Sequence, residues 1–435
     1  MSLTERINNL MLAVKNGVLA LASVLGIGIS SIGIYNGVRS DEVTLDDIKV
    51  PATFEEQGYK SDITTVRILD QISKYQLSSG SAKERVSFFG NQQSQPTKIE
   101  LAGSGVDVKA VQSYVRDSLG IQTSKISGEI TTSKVGESTQ YHVKIRKSPE
   151  NIVLVDFKTT GTVEVLIDLI ALNILEATDP HIAAAVHWGK GDEVNALRMI
   201  DVVLGNNNPD DDKFSLNLKA YIDITKKRLG SAQQDIEKLE KIAPDFIPLL
   251  SSKSWLAREK GDFSQSLELA DLQIKRAPEK WWGYQARALS LQGLKRNEEA
   301  AKAYLKLIAM KPDSPSSYLI AGRFFASQSD FEHATDAFRT GVSRYRDHSG
   351  LSLAYADTMQ QAKLFLSAEG LYRQFQEDPK SRLHALIGLV ETLEIQNKTD
   401  ELKKQKSTLK IFLEQHPLTD LEEKVFQKRL EILKI

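Results

Sequence analysis

Hydrophobic and polar positions divide this chain into three parts with different patterns. Residues 17–35 are apolar or small throughout and carry no charge. Residues 60–178 combine helical periodicity with short segments that alternate apolar and polar positions, whereas residues 179–435 keep helical periodicity to the end. The pattern predicts a mostly α-helical protein in which one apolar N-terminal helix and a small α+β domain precede a long helical region.

The uncharged N-terminal run is long enough to cross a membrane. Its nineteen residues (GVLALASVLGIGISSIGIY) would form a helix of roughly 28 Å, and a bilayer core is about 30 Å thick. Arg6 and Lys15 precede the run, and Arg39 is soon followed by four acids, so the basic residues favour an N-terminus in the cytoplasm. We therefore predict a cytoplasmic segment at 1–16, a single inner-membrane anchor at 17–37 and a periplasmic remainder.

Two other interpretations of this run stay open. The first is a cleaved secretory signal peptide, because Ser31 and Gly33 form a small-x-small site that would leave a mature start near Ile34. Against it, the run is longer than the roughly 7–15 apolar residues usual in such peptides. The second interpretation keeps the whole chain on the cytoplasmic side.

Small residues recur along the same run. They are Ala22, Gly26 and Ser30 at four-residue spacing, and the GxxxG pair Gly33 and Gly37. Because small residues let two membrane helices approach closely, this spacing predicts a homodimer through the anchor. The ordinary frequency of small residues in membrane helices is the competing explanation.

Residues 38–59 are predicted to be a linker, and residues 60–178 to be the small α+β domain. Ser61 is predicted to be the N-cap of a helix with four apolar positions on its buried face: Val66, Leu69, Ile72 and Tyr75. A short strand at Lys98–Leu101 and a helix beginning at Asp107 follow. Three alternating segments predict an antiparallel meander: Ser124–Thr132, Gln140–Lys147 and Ile152–Phe157. Val163–Ala177 is so apolar that it predicts a buried helix.

Small residues recur every 34 positions in the helical region. The first set is Ala220, Ser254, Ala288, Gly322 and Ala356, and the second set, twelve residues later, is Ala232, Ser266, Ala300, Ala334 and Ala368. Mostly large apolar residues stand four positions after the second set: Ile236, Ala270, Tyr304, Phe338 and Tyr372. Two helices that cross closely each need a small side chain at the crossing. The register therefore predicts five helical hairpins in phase from about Lys213 to Lys380.

This register resembles the tetratricopeptide repeat family in its unit length, in its small–small–aromatic spacing and in the prolines that close three units, Pro244, Pro278 and Pro312. It departs from the family at the position of the usual first-helix tryptophan. The five units have other residues there: Leu216, Leu250, Tyr284, Tyr318 and Ser352. A slipped unit with Ala184 and Ala196 precedes the five hairpins. A degenerate pair and a terminal helix follow them, the pair being Leu383–Glu394 and Glu401–Glu414.

The resemblance implies an α-α superhelix over residues 179–435 that binds other proteins. Residues 50–75 also resemble the membrane-proximal segment of some bacterial membrane-anchored repeat proteins. In the tetratricopeptide family the first helix of each hairpin lines a concave groove, and the matching positions here are Asn217, Tyr221, Ser251, Trp255, Arg258, Trp282, Gln285, Gln292, Arg323, Asp357 and Gln360. Tyrosine, tryptophan and arginine are frequent at binding hot spots. Trp255 and Trp282 could instead pack between hairpins, which is the alternative to a binding role.

Composition and motifs exclude several kinds of chemistry. The 435 residues contain no cysteine, which excludes disulfides, thiolate catalysis and cysteine-ligated zinc. The net charge of −1 provides no basic stripe for nucleic acid. The seven histidines show no metal-binding spacing, there is no Walker A loop or GxSxG elbow, and Asn206–Asp212 lacks the spaced ligands of a calcium loop. We therefore predict no catalytic residue, no metal and no cofactor.

The main prediction is a non-enzymatic, membrane-anchored scaffold that presents its repeats to a protein or peptide outside the cytoplasm. The alternative prediction is a ligand-binding or enzymatic module in residues 60–178, with the repeats as an accessory.

Overall fold

The structure is a computed structural model that describes residues 42–83, 86–90, 124–136, 138–148 and 151–435. The chain divides into two compact units, Met1–Ile222 and Asp223–Ile435. Among the described residues, no helix combines the length and the apolar composition needed to cross a membrane. The predicted anchor at 17–37, the strand at Lys98–Leu101 and the helix beginning at Asp107 all lie outside the described residues.

The first unit contains a mixed sheet and six described helices. Its strands are β1 Glu42–Leu45, β2 Ser87–Gly90, β3 Ser124–Val135, β4 Ser138–Ser148 and β5 Ile152–Thr160. Its helices are α1 Ala52–Glu55, α2 Ser61–Ser78, α3 Val163–Thr178, α4 Pro180–Gly189, α5 Glu193–Gly205 and α6 Pro209–Thr225, in which the division falls.

The sheet has the strand order β2-β1-β3-β4-β5. Strands β3, β4 and β5 form the predicted antiparallel meander, and β1 pairs in parallel with both β2 and β3. Alternate residues of β4, namely Tyr141, Val143 and Ile145, are buried on one face, as the two-residue period of a strand requires. The sheet therefore presents one apolar face to the helices.

The structure differs from the prediction of a linker over residues 38–59. Strand β1 lies inside the sheet, and Leu45, Ile48 and Phe54 are fully buried in the core of the first unit. The alternation of Val43 and Leu45 is the signal for this strand, but acidic residues surround it on both sides. Helix α2 also differs in one position, because Ile68 is buried whereas Val66 is 45% exposed.

Helix α3 is apolar on most of its surface and is packed accordingly. Its Ile170 and Ile174 are fully buried, and the same core contains Ile182 of α4 and Met199 of α5. A helix that is apolar around most of its circumference needs neighbours on more than one side. The hairpin α4–α5, predicted to begin the repeats after residue 178, therefore belongs to the core of the first unit.

The second unit is a stack of helical hairpins. After α7, Leu229–Ile242, the hairpins are α8 Ile247–Glu259 with α9 Phe263–Arg276, α10 Trp281–Gly293 with α11 Asn297–Met310, α12 Pro315–Ser327 with α13 Phe331–Arg344, α14 Ser349–Gln361 with α15 Phe365–Phe375, and α16 Arg382–Ile395 with α17 Thr399–Gln415. Helix α18, Asp420–Leu433, follows them.

Small residues lie at the helix crossings, as the register predicts. Ala288 of α10 and Ala300 of α11 are fully buried in one core, and Ser254 of α8 donates a hydrogen bond to the backbone of Ser266 at 2.9 Å. At Gly322 the space is already filled, because an added Cβ would lie 2.6 Å from the ring of Phe338. Close packing of the two helices therefore explains the repeated small residues.

Candidate functional site

The residues predicted for the groove lie on the first helices of successive hairpins. We call them the first-helix face, which in the second unit comprises Ser251, Trp255 and Arg258 on α8, Trp282, Gln285 and Gln292 on α10, Arg323 on α12, and Asp357 and Gln360 on α14. Helix α8 contacts α10, and α12 contacts α14. Asn217 and Tyr221 lie on α6 in the first unit, where the Tyr221 ring packs edge-on against Trp188 at 6.4 Å.

Helix α8 contributes one anchored aromatic residue and one unusual cation. The indole nitrogen of Trp255 donates to a carboxylate oxygen of Glu259 at 3.0 Å, and Lys227 also pairs with Glu259. Arg258 is half-buried, yet it makes no hydrogen bond or ion pair with any residue that the structure describes. Burial lowers the pKa of Arg258, while Glu259 and Tyr304 oppose this shift. The guanidinium nevertheless stays charged at any physiological pH.

Helix α10 contributes an aromatic residue and two amides. Trp282 is half-buried and packs edge-on against Trp281, with a centroid distance of 6.2 Å. Gln292 accepts a hydrogen bond of 2.5 Å from the hydroxyl of Tyr304, whose pKa is raised by burial. The side chain of Gln285 has no hydrogen bond to a described residue. Gln292 is therefore already engaged, whereas Gln285 is open.

Helices α12 and α14 differ in how their polar side chains are used. Arg323 is exposed and has no ion pair with a described residue. Asp357 accepts hydrogen bonds from Tyr372 at 2.7 Å and from His384 at 2.9 Å. Burial alone would raise the pKa of Asp357, but these bonds and the positive charge of Arg429 lower it. Asp357, proposed from sequence as a groove residue, thus serves contacts within the stack.

The remaining small polar groups of the face are also engaged. Ser251 accepts a hydrogen bond from Gln273 at 2.6 Å, and the Gln360 amide donates to the hydroxyl of Thr392 at 3.0 Å. These bonds join the first helix of one hairpin to a neighbouring helix. The open polar side chains of the face are therefore Arg258, Gln285 and Arg323, within the residues described.

Sequence reasoning missed the acidic end of this face. Glu391 of α16 receives a bidentate hydrogen bond from Arg429 of α18, at 2.8 Å and 2.5 Å. The same guanidinium lies 3.7 Å from Asp357. Glu391 stands 34 residues after Asp357, so the repeat register was the available signal for it. Arg429 has no counterpart in the register, and only the docking of α18 reveals it.

The first unit holds two polar clusters that bear on the alternative prediction. Tyr75 donates a hydrogen bond to Asp168 and accepts one from Lys190 at 2.5 Å. Elsewhere, His181 lies between Ser81 at 2.8 Å and Ser215 at 3.1 Å, and burial lowers the pKa of His181 to about 4. Within the described part of the chain, no group of histidine and acidic side chains is arranged to hold a metal ion.

A cluster of charged side chains also lies beside His181. Lys83 pairs with Asp179 at 3.1 Å and with Asp211 at 2.9 Å. Burial raises the pKa of Asp179, although the positive charge of Lys83 opposes the rise. Asp179 also caps α4 by accepting a hydrogen bond from the backbone of Ile182 at 3.4 Å. This cluster joins helices and a loop of the first unit and therefore has a structural role.

Comparison with known proteins identifies one repeat directly. Residues 283–314 match the family model described as a tetratricopeptide repeat, and this range contains most of α10 and all of α11. No curated protein matches the chain. The match lies within the 34-residue register that the neighbouring hairpins share.

Several solved structures are similar to the chain. One is TTC0263, a thermophilic TPR protein of Thermus thermophilus (17% identity, TM-score 0.35, 42% of this chain and 97% of that one). A second is pilF of Pseudomonas aeruginosa (14% identity, TM-score 0.40, 51% of this chain and 98% of that one). A third is a tetratricopeptide repeat protein of Parabacteroides merdae (14% identity, TM-score 0.42, 60% of this chain and 99% of that one). Residues 283–314 are therefore a tetratricopeptide repeat, and the neighbouring hairpins continue its 34-residue register.

Proposed function

We propose that this protein is a non-enzymatic scaffold that binds another protein or a peptide on the first-helix face of α8, α10 and α12. One observation supports this most directly: three successive first helices each present a polar side chain that no described residue engages, namely Arg258, Gln285 and Arg323. Aromatic residues stand beside them, and arginine and tryptophan are the residues most enriched at binding hot spots. The face thus combines apolar area with open hydrogen-bonding groups.

The test compares the partner proteins that co-purify from cells with the full-length wild type and with a full-length variant that lacks the open side chains. The double variant Gln285→Ala with Arg323→Ala should deplete a specific partner about tenfold in quantitative affinity purification. The matched control is Gln265→Ala with Arg339→Ala, because these residues are exposed on the second helices α9 and α13. Equal retention by both double variants would remove the first-helix face from the binding site.

A membrane anchor at residues 17–37 is part of the same proposal. The uncharged run and the basic residues before it support a cytoplasmic N-terminus, with the repeats in the periplasm and a homodimer through Ala22, Gly26 and Ser30. Protease added to intact spheroplasts should then remove a C-terminal tag on the full chain. A tag that is degraded only after lysis would contradict this orientation.

A further inference from the structure

The carboxylates along the first helices all have cationic or hydrogen-bonding partners from this chain. Glu259 pairs with Lys227, Asp357 with His384, Glu391 with Arg429, and Glu394 with Lys406. Glu391 and Glu394 occupy on α16 the positions that Asp357 and Gln360 occupy on α14. The negative charge along this side of the stack is therefore compensated within the protein.

The cations of the first-helix face differ in this respect. Arg258 and Arg323 make no direct ion pair with a described carboxylate, although the charge of Glu259 acts on Arg258 from a longer distance. Arginines elsewhere in the second unit usually do, for example Arg287 with Asp271 at 2.8 Å and Arg373 with Glu369 at 2.8 Å. A half-buried guanidinium without an anion is unfavourable, because it loses hydration and gains no ion pair in return. Arg258 therefore keeps its hydrogen-bond donors available for a carboxylate that another molecule supplies.

We propose that the partner presents an acidic peptide segment, a carboxylate of which pairs with Arg258; this inference rests on the proposed function. Arg323 lies two first helices further along the stack, on α12. An extended chain advances about 3.3 Å per residue, so a segment that reaches both Arg258 and Arg323 must be several residues long. Gln285, on the helix between them, provides an amide that bonds to the backbone or to a second carboxylate.

A peptide fits this face better than a nucleic acid. A nucleic-acid site needs an array of cations along the backbone. Two open arginines, separated by an amide and accompanied by Trp282, instead suit a mixed acidic and apolar segment. A guanidinium also matches a carboxylate in a two-bond geometry, which gives direction as well as affinity.

The test uses the full-length protein in detergent and three labelled fifteen-residue peptides, (Glu-Tyr-Ala)5, (Gln-Tyr-Ala)5 and (Lys-Tyr-Ala)5, with a thymidine 16-mer as the nucleic-acid probe. Fluorescence anisotropy should show that the glutamate peptide binds at least tenfold more tightly than the other three. Arg258→Gln should weaken its binding roughly tenfold or more, since hydrogen bonds to charged groups are strong. Arg258→Lys should restore part of the affinity, and the control Arg339→Gln should leave it unchanged.

The melting temperature distinguishes a binding role of Arg258 from a purely structural one. Arg258→Gln removes an unpaired, half-buried charge, so its melting temperature should equal or exceed that of the wild type. A fall in stability that accompanies the lost binding would overturn the assignment, and so would tighter binding of the thymidine 16-mer. Equal binding of the glutamate and glutamine peptides would leave the proposed groove function standing but reject the acidic partner. Failure of all four probes to bind would contradict the groove function as well.

Discussion

Single residues decide how closely the helices of each hairpin approach. The sequence register predicts these small positions correctly, because tight helix crossings leave the same trace every 34 residues. Gly322 lies at a tight crossing of that set, since its missing Cβ would lie 2.6 Å from the fully buried ring of Phe338. A Cβ added at Gly370 of α15 would have no packing neighbour within 4 Å. The two glycines therefore serve different purposes.

Replacing each glycine by alanine should have opposite effects. Gly322→Ala forces Phe338 to move within a packed core and should lower the free energy of unfolding by about 1–3 kcal/mol. Gly370→Ala should raise it by up to about 1 kcal/mol, because alanine favours the helix and meets nothing. Urea unfolding followed by circular dichroism measures both. A loss of stability at both positions would contradict the packing described for Gly322.

The chemical use of the predicted groove residues was not accessible from sequence. Asp357 occupies a groove position in the register, but its carboxylate faces groups from later in the chain, including Arg429. Arg429 lies outside the periodic pattern, so only the packed structure brings the two together. The same holds for Arg258, because a missing partner leaves no trace in the sequence.

The turns within the hairpins follow the register as well. A residue with positive φ separates the two helices every 34 positions: Lys227, Gly261, Lys295, Ser329, Lys363 and Asn397. This extends the register to the hairpin α16–α17, predicted as a degenerate pair. A left-handed backbone conformation is unfavourable for a residue with a Cβ. The lysines and the serine therefore hold a conformation that glycine would adopt more easily.

Glycine at one of these turns should stabilise the protein. Lys363 is exposed, with a φ of 62°, so Lys363→Gly should raise the free energy of unfolding by about 0.5–1 kcal/mol. Lys302→Gly within α11 is the control and should lower it by about 1 kcal/mol. Thermal unfolding of the two variants distinguishes them. A destabilised Lys363→Gly variant would mean that the turn does not require the left-handed conformation.

A network of charged groups holds the last hairpins together. Glu369 of α15 accepts hydrogen bonds from Lys398 at 2.7 Å, Arg373 at 2.8 Å and Gln396 at 2.9 Å. Burial alone would raise the pKa of Glu369, but these bonds outweigh it and lower the pKa to about 2. A depressed pKa stabilises the folded state above the ordinary carboxyl pKa, and this stability is lost as the pH falls toward 2.

The pH dependence of stability should report this network. At neutral pH the ionised Glu369 should contribute up to about 3 kcal/mol, so Glu369→Gln should be destabilising there. The difference between wild type and variant should shrink between pH 5 and pH 2. Glu298→Gln, at an exposed position on α11, is the control and should show only a small difference from the wild type at neutral pH. A constant difference for Glu369→Gln would show that the carboxylate is not held ionised by its partners.

At the scale of the whole molecule, periodicity predicted the repeats better than the first unit. The hairpins follow from a pattern that recurs in five successive units of 34 residues, so each unit supports the assignment of the next. Strand β1 occurs once, is four residues long and is flanked by acids, so its burial in the sheet could not be distinguished from a linker. The helices α4 and α5 resemble a repeat in sequence but share the core of the first unit.

A partner that binds the first-helix face must lie close to the side chains of Gln285 and Arg323. The most direct measurement places the photo-crosslinking residue benzoylphenylalanine at Gln285, at Arg323 or at Leu305, in the full-length protein inside living cells. Leu305 is 46% exposed on the second helix α11 and is the control. Irradiation should give an adduct with the same protein at Gln285 and Arg323 and none at Leu305. An adduct at Leu305 alone, or no adduct at either first-helix position, would contradict the account.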